Sequence, residues 1–173
     1  MKLYMRQAAA ADLDEIMAII EGARRGLALQ GIPQWQDGTG PNSEIVKKDM
    51  SDTVSYVLML EDEIVGTGAL LTAEDPAYEE IQEGGWDTTA PRYVSIHRIA
   101  VSDQHQGKAF AVSLIRFLIT AARLQGFTDI RIDTHPQNKI MQKVIQQAGF
   151  EWRGNILLDV PDGERYAYQQ VLN

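Results

Sequence analysis

Hydrophobic positions along the chain switch repeatedly between a period of two and a period near 3.6, and the switches mark out short strands and amphipathic helices. The opening "KLYMRQA" reads as a strand. Asp12, with Glu15 three residues on, predicts a cap for the helix that follows, in which Leu13, Ile16, Ile19 and Ile20 recur at helical spacing up to about Gln30. "GIPQWQDGTGP" is a loop punctuated by glycine and proline, and "NSEIVKKDM" a second, shorter helix. Two β-rich runs in "VSYVLMLEDEIVGTGALLTA" flank an acidic turn at Asp62, the pattern of a hairpin. Residues 74 to 91 break every periodicity and predict a long loop.

The second half repeats the alternation. "RYVSIHRIAV" is a strand, and after a polar turn Ala111, Leu114, Ile115, Leu118 and Ala122 mark one face of a helix that Gly126 ends. "DIRID" alternates as a strand, and "QNKIMQKVIQQAG" is a helix with Met141, Val144, Ile145 and Ala148 inward. "FEWRGNILLDV", the turn "PDG" and "ERYAYQQVL" form a closing hairpin. The order β-α-α-β-β-β-α-β-α-β-β predicts a mixed α/β layered fold, and residues 1–173 are expected to form one domain.

Composition narrows the function. With 45% hydrophobic and 23% charged residues the chain is that of a folded globular protein. The lack of cysteine excludes disulfides, thiolate metal sites and a cysteine nucleophile, and is compatible with a reducing cytoplasm. No run is apolar for the length of a membrane span, so a cytoplasmic protein without a membrane partner is expected. A formal charge of −8 disfavours nucleic acid as a partner.

One turn carries candidate chemistry. In "IAVSDQHQGKAFAVSLI" a strand runs into a short polar connection that opens a helix, gathering unpaired N–H groups at the positive end of the helix dipole. Such an end attracts phosphate, although strand-turn-helix units are also common as plain connections. Gly107, Ala109 and Ala111 are small enough for close approach and Lys108 adds charge, but the Gly-Lys-Ser/Thr ending of a Walker loop is missing.

The order of elements, with this segment and "HPQNKIMQKVIQQAGF", resembles the GNAT superfamily of acyl-CoA-dependent N-acyltransferases. The resemblance implies a mostly antiparallel sheet with a splayed central parallel pair and helices on both faces. It implies acetyl-CoA as co-substrate and a small-molecule or peptide amine as acceptor; no metal is expected, because the three histidines, His97, His105 and His135, offer no i,i+4 pair and no nearby carboxylate cluster. The backbone of Ile99, Ala100 and Val101 would hold the pantetheine arm. The family's pyrophosphate loop, Q/R-x-x-G-x-G/A, falls on "QGKAFA", so Gln106, Gly107, Lys108, Ala109, Phe110 and Ala111 form the implied cradle. An alternative register uses Gln104, Gly107 and Ala109. Ala109 stands where the motif has glycine, which would make any positive φ there costly. The pattern N-x-x-A-x-x-L-Y-x-K-x-G-F falls on "NKIMQKVIQQAGF", which adds Asn138 and Met141 to the cofactor set and puts Ile145 where many members have an acidic tyrosine.

Amine acetylation needs a base near neutral pH, and histidine suits. His97, on the strand two residues before Ile99, is expected on the same side of the sheet and is one candidate; its alternative is a satisfied strand histidine. His135, after the next strand, is a second candidate or merely orients the helix carrying Asn138. His105 is expected to be an exposed turn residue, and Asp133 a solvated strand position rather than a histidine partner. With Ile145 unable to donate a proton, Tyr78, Tyr93 or water is left to serve the thiolate. Gln34, Trp35 and Trp86 lie on loops that in this family overhang the acceptor; aromatic rings there clamp amines by cation–π contact, or else act as loop anchors or as contacts of a homodimer. A coenzyme A-binding module without transferase activity is the alternative reading.

Overall fold

The period-two runs pair as the alternation requires: apolar residues facing helices on either side of a sheet. The structure, a computed structural model, describes residues 1–105, 107 and 109–173, so the calls on Gln106 and Lys108 lie outside the described residues. Strands β1 (Leu3–Gln7), β2 (Ser55–Leu60), β3 (Glu63–Leu71), β4 (Tyr93–Val101), β5 (Asp129–Thr134), β6 (Glu151–Leu157) and β7 (Glu164–Val171) form one sheet among the described residues, in the order β1-β2-β3-β4-β5-β7-β6. Every pairing is antiparallel except β4 with β5 at the centre. The mixed, mostly antiparallel architecture is the expected one.

Helices cover both faces. On one lie α4 (Phe110–Leu124) and α5 (Lys139–Gln147), packing Leu114, Ile115, Leu118 and Ile145 against Val94, Ile96, Ile130 and Ile132. The opposite face carries α1 (Leu13–Leu29) and α2 (Ser43–Ser51), with Ile16, Ile20 and Val46 on Val57, Met59 and Ala100. Each fully buried aliphatic side chain contributes about 1.5–3 kcal/mol. In the first turn of α4 the buried places belong to Phe110 and Val112, with Ala111 half-buried. Among the described residues no helix is long and apolar enough to cross a membrane.

Two local readings change. Asp12 stands at the N-cap position of α1 as expected, but its side chain makes no cap bond there; its carboxylate accepts from the backbone N of Ala9 at 2.7 Å and takes both arms of Arg6 at 2.7 and 3.0 Å, closing a 3₁₀ turn (Ala10–Asp12) that precedes the helix. The bidentate guanidinium holds the Asp12 carboxyl below its usual value. The segment 74 to 91 is no plain loop. Asp75 caps a single helical turn, α3 (Pro76–Glu79), and the chain then runs to the sheet edge, where Gln82 and Asn155 exchange two backbone hydrogen bonds of 2.8 Å. This strap is clamped on its return: Asp87 N donates to Gln169 Oε1 at 2.9 Å, and Gln169 Nε2 donates to Asp129 at 2.9 Å.

Candidate active site

The central parallel pair is short for its strands. Residues 93 to 96 pair with 129 to 132, and there the ladder stops, although β4 continues to Val101. On its β3 side β4 stays paired, Thr67 with Ala100 and Gly66 with Val101. Among the described residues the β5-facing edge of His97–Val101 therefore has no strand partner, and backbone groups there need another one.

The break coincides with a β-bulge. Register shifts between Thr67 and Ala69, and Arg98, opposite the shift, is left-handed at φ 57°. The extra residue reverses the alternation. Ile99 and Val101 pack on the α4 face, whereas His97 stacks on Tyr78 on the other. The expectation that His97 and Ile99 share a side is corrected: strand parity does not carry across a bulge. Gly68 allows the bulge to seat, since a β-carbon there would lie 2.7 Å from Ile99 Cδ1. Arg98 points toward α2, its Nε 3.4 Å from Asp49, whose carboxyl burial raises above its usual value.

His97 sits within a cluster assembled from distant segments. Its Nε2 is 3.0 Å from Ser95 Oγ and 3.8 Å from Asp75 Oδ2, and its ring lies 6.0 Å from that of Tyr78 at an interplanar angle of 22°. The Tyr78 hydroxyl, fully buried, donates to Asp133 Oδ2 at 2.7 Å. Asp133 is thus a partner inside the cluster, not a solvated strand position. Burial pushes the His97 ring below its usual value, and the charges of Asp133, Asp75 and Asp49 oppose that shift while Arg98 adds to it. The ring is neutral at neutral pH and able to take a proton, with carboxylates placed to stabilise the result. Burial and the two neighbouring carboxylates push the Tyr78 phenol far up, so it remains a donor.

His135 has a different setting. It is 6% exposed and its Nδ1 accepts from the backbone N of Gln137 at 3.1 Å, holding the turn into α5. Its ring too is held below its usual value, by burial and then by Arg165. His105 is not an exposed turn residue: its side chain is 13% exposed, with Nε2 3.1 Å from Glu63.

At the helix end of the cleft, Ala109 is the N-cap of α4 and is left-handed at φ 57°, the conformation expected of a glycine. Gly107 is also left-handed, with open space where a β-carbon would project. Across the cleft, Asn138 caps α5 by accepting from Met141 N at 3.1 Å. Its Nδ2 reaches Gln34 Oε1 at 3.0 Å, and Thr134 Oγ1 lies 3.5 Å from the same oxygen. Gln34 and Asn138 thus meet although far apart in sequence. Arg24 seats the Gln34 loop by donating to Trp35 O at 3.0 Å and Pro41 O at 2.6 Å, while Trp35 packs on the α1 cluster. Trp86 is engaged from below: its Nε1 donates to Tyr78 O at 2.6 Å, and the Arg131 guanidinium lies 4.3 Å from its ring.

Sequence reasoning left Asp75, Asp49 and Arg98 out of the site. Asp75-Pro76 is a helix-start signal that would have marked the strap's turn. Nothing local signals a bulge at an arginine.

An open parallel pair inside an antiparallel sheet, with a left-handed turn opening a long helix beside it, defines the class of acyl-CoA-dependent acyltransferases that the segments 99–111 and 138–150 resemble. The family model described as "Acetyltransferase (GNAT) family" matches residues 20–150, and the chain belongs to that family. An acetyltransferase of the GNAT family from Streptococcus agalactiae is similar at 31% identity and a TM-score of 0.91, over 99% of this chain and 96% of that one. The aminoglycoside acetyltransferase AAC(6')-Ib in complex with coenzyme A shares the fold, with a TM-score of 0.67 at 20% identity over 98% and 95% of the two chains. N-acetyltransferase 8 of Rattus norvegicus is 28% identical over 120 residues, 68% of this chain and 49% of its own length. The match thus spans about half the length of that relative.

Proposed function

We propose that this chain is an N-acetyltransferase that moves an acetyl group from acetyl-CoA to a primary amine of a small molecule or peptide by direct attack. One observation carries the reading: the unpartnered edge of β4 from His97 to Val101 adjoins a half-buried histidine held among carboxylates. The residues present fit the co-substrate. An edge without a strand partner accepts an extended amide-bearing chain, and the space around Gly107 leaves the N-terminus of α4 open to a pyrophosphate. When bound, acetyl-CoA supplies the thioester carbonyl.

The chain's own groups then divide the work. Ile99, Ala100 and Val101 would hold the cofactor arm by their backbone, and the amides of Gly107, Ala109, Phe110 and Ala111 would meet the phosphates. The amine attacks in its neutral form: as its nitrogen bonds to the carbonyl carbon and the carbon–sulfur bond breaks, His97 takes at its ring nitrogen the proton that the nitrogen sheds. Asp75 and Asp133 stabilise the charged ring, and Tyr78 fixes Asp133. Without cysteine, no thioester forms on the protein. AAC(6')-Ib, which holds coenzyme A on the same fold, supports a small-molecule amine as acceptor.

A panel of amines, polyamines and peptide N-termini with acetyl-CoA, read by thiol release, tests the reading. Release that depends on an amine and drops at least tenfold in His97→Ala supports it. Binding of acetyl-CoA with no release across the panel would instead favour a coenzyme A-binding module, to which the fully buried Ile145 at the family's tyrosine position lends itself.

A further inference from the structure

Three hydrogen bonds fix which end of the Gln34 carboxamide is free. Oδ1 of Asn138 accepts from the backbone N of Met141 at 3.1 Å. A backbone N–H only donates, so the oxygen of Asn138 is committed there and its Nδ2 is the end that meets Gln34. That nitrogen also only donates, so the Gln34 atom 3.0 Å away is Oε1, and Thr134 Oγ1 approaches the same oxygen at 3.5 Å. Gln34 Nε2, with two N–H donors, is left without a hydrogen bond among the described residues, at the end of β5 where the parallel ladder has already opened.

Three hydroxyls beside the opened ladder are already engaged. The Tyr78 hydroxyl is on Asp133, that of Tyr93 is on the backbone of Asp75, and that of Ser95 is paired with His97. Ile145 has none to offer. Breaking the thioester leaves the bond's electron pair on sulfur, and a fixed donor at that atom lowers the barrier. We propose that Gln34, through Nε2–H, is the hydrogen-bond donor to the departing sulfur, a catalytic residue on the leaving-group side; this rests on the acetyltransferase reading above. No proton is transferred in this contact: the carbon–sulfur bond breaks, sulfur leaves as a hydrogen-bonded thiolate, and the amine's proton goes to His97. Bonding of Gln34 to Asn138 and Thr134 keeps the carboxamide from turning its oxygen toward the sulfur.

The test is the pKa of the coenzyme A thiol bound to the whole protein, followed by the ultraviolet absorbance of the thiolate. In the wild type it should fall below the ordinary thiol value of about 8.5. Gln34→Ala should raise it by about one unit, a tenfold loss of thiolate at a given pH. Gln34→Glu keeps an acceptor for Asn138 and Thr134, so the loop stays seated while the donor is lost, and the thiol pKa should rise there too. In both variants kcat should fall with KM for the amine within about twofold. An unchanged thiol pKa with a raised amine KM overturns the proposal and makes Gln34 an acceptor contact. If the wild type binds no coenzyme A, the acetyltransferase reading fails and this inference with it; if the wild type binds and turns over while both variants keep its thiol pKa, this inference alone fails.

Discussion

The hydroxyl of Tyr78 donates to Oδ2 of Asp133 at 2.7 Å, joining the strap to the end of β5 directly under the His97 ring. The pair ties the long segment before β4 to the chemistry: the strap delivers a phenol with no solvent exposure to a carboxylate at the mouth of the parallel pair. Tyr78→Phe retains the ring stack and removes only the donor. Loss of a hydrogen bond to a charged group costs about 1.5–3 kcal/mol of stability. The turnover rate should fall, with acetyl-CoA affinity within about twofold of wild type, because Asp133 is freed while the β4 edge is untouched. Calorimetric binding beside steady-state rates checks this; an unchanged rate removes Tyr78 from the site.

Ala109 is strained by its own backbone. A left-handed alanine costs about 1–2 kcal/mol over a right-handed one, and glycine escapes most of that. Ala109→Gly should stabilise the protein by about 1 kcal/mol and leave acetyl-CoA binding equal or tighter. Denaturant titration measures the first, calorimetry the second. A loss of stability would mean that this turn adopts another conformation.

The strap depends on one buried ion pair. Arg131, 8% exposed at its side chain, holds Asp129, 1% exposed, through contacts of 2.8 and 3.2 Å. Its guanidinium lies between Trp86 at 4.3 Å and Tyr93 at 4.0 Å. Arg131→Gln leaves Asp129 buried and uncompensated, and should cost about 3–5 kcal/mol. Arg131→Lys should recover little, since an ammonium neither forks nor stacks. The double variant with Asp129→Asn should lose less than Arg131→Gln alone, and a larger loss contradicts the pairing.

Stability should fall on mild acidification. His97 and His135 are both held below the usual value of 6.5, chiefly by burial, so the unfolded chain takes up their protons first. Their contribution is complete above 6.5 and is lost as pH falls toward the folded values. Asp49 has the opposite sign: its carboxyl is raised above 3.8, so its contribution is lost as pH rises from there through the raised value. Melting temperatures between about pH 7.5 and 5.5 should drop, with a shallower slope in His97→Asn. An identical slope places the effect elsewhere.

Periodicity made the sheet and helices legible, because each run's polar and apolar positions answer to one face. It failed where a contact crosses the chain or a residue breaks the count. Asp12 looked like a helix cap, but the fork of Arg6 took its carboxylate. His97 looked level with Ile99, and the left-handed Arg98 between them turned it to the opposite face. Tyr78 with Asp133, and Gln34 with Asn138, meet only through the fold, and no local pattern announces them. The reading of Ala109 as a costly glycine site matches its φ of 57°.

The central claim is that acetyl-CoA lies along the open edge of β4. Amide hydrogen exchange of the whole protein with and without acetyl-CoA tests it directly. Slowed exchange concentrated in residues 97–101, 107–111 and around Asn138 is the predicted result. Protection elsewhere, such as at the groove between Gln142, Trp152 and Tyr166, or no protection at saturating acetyl-CoA, would contradict it.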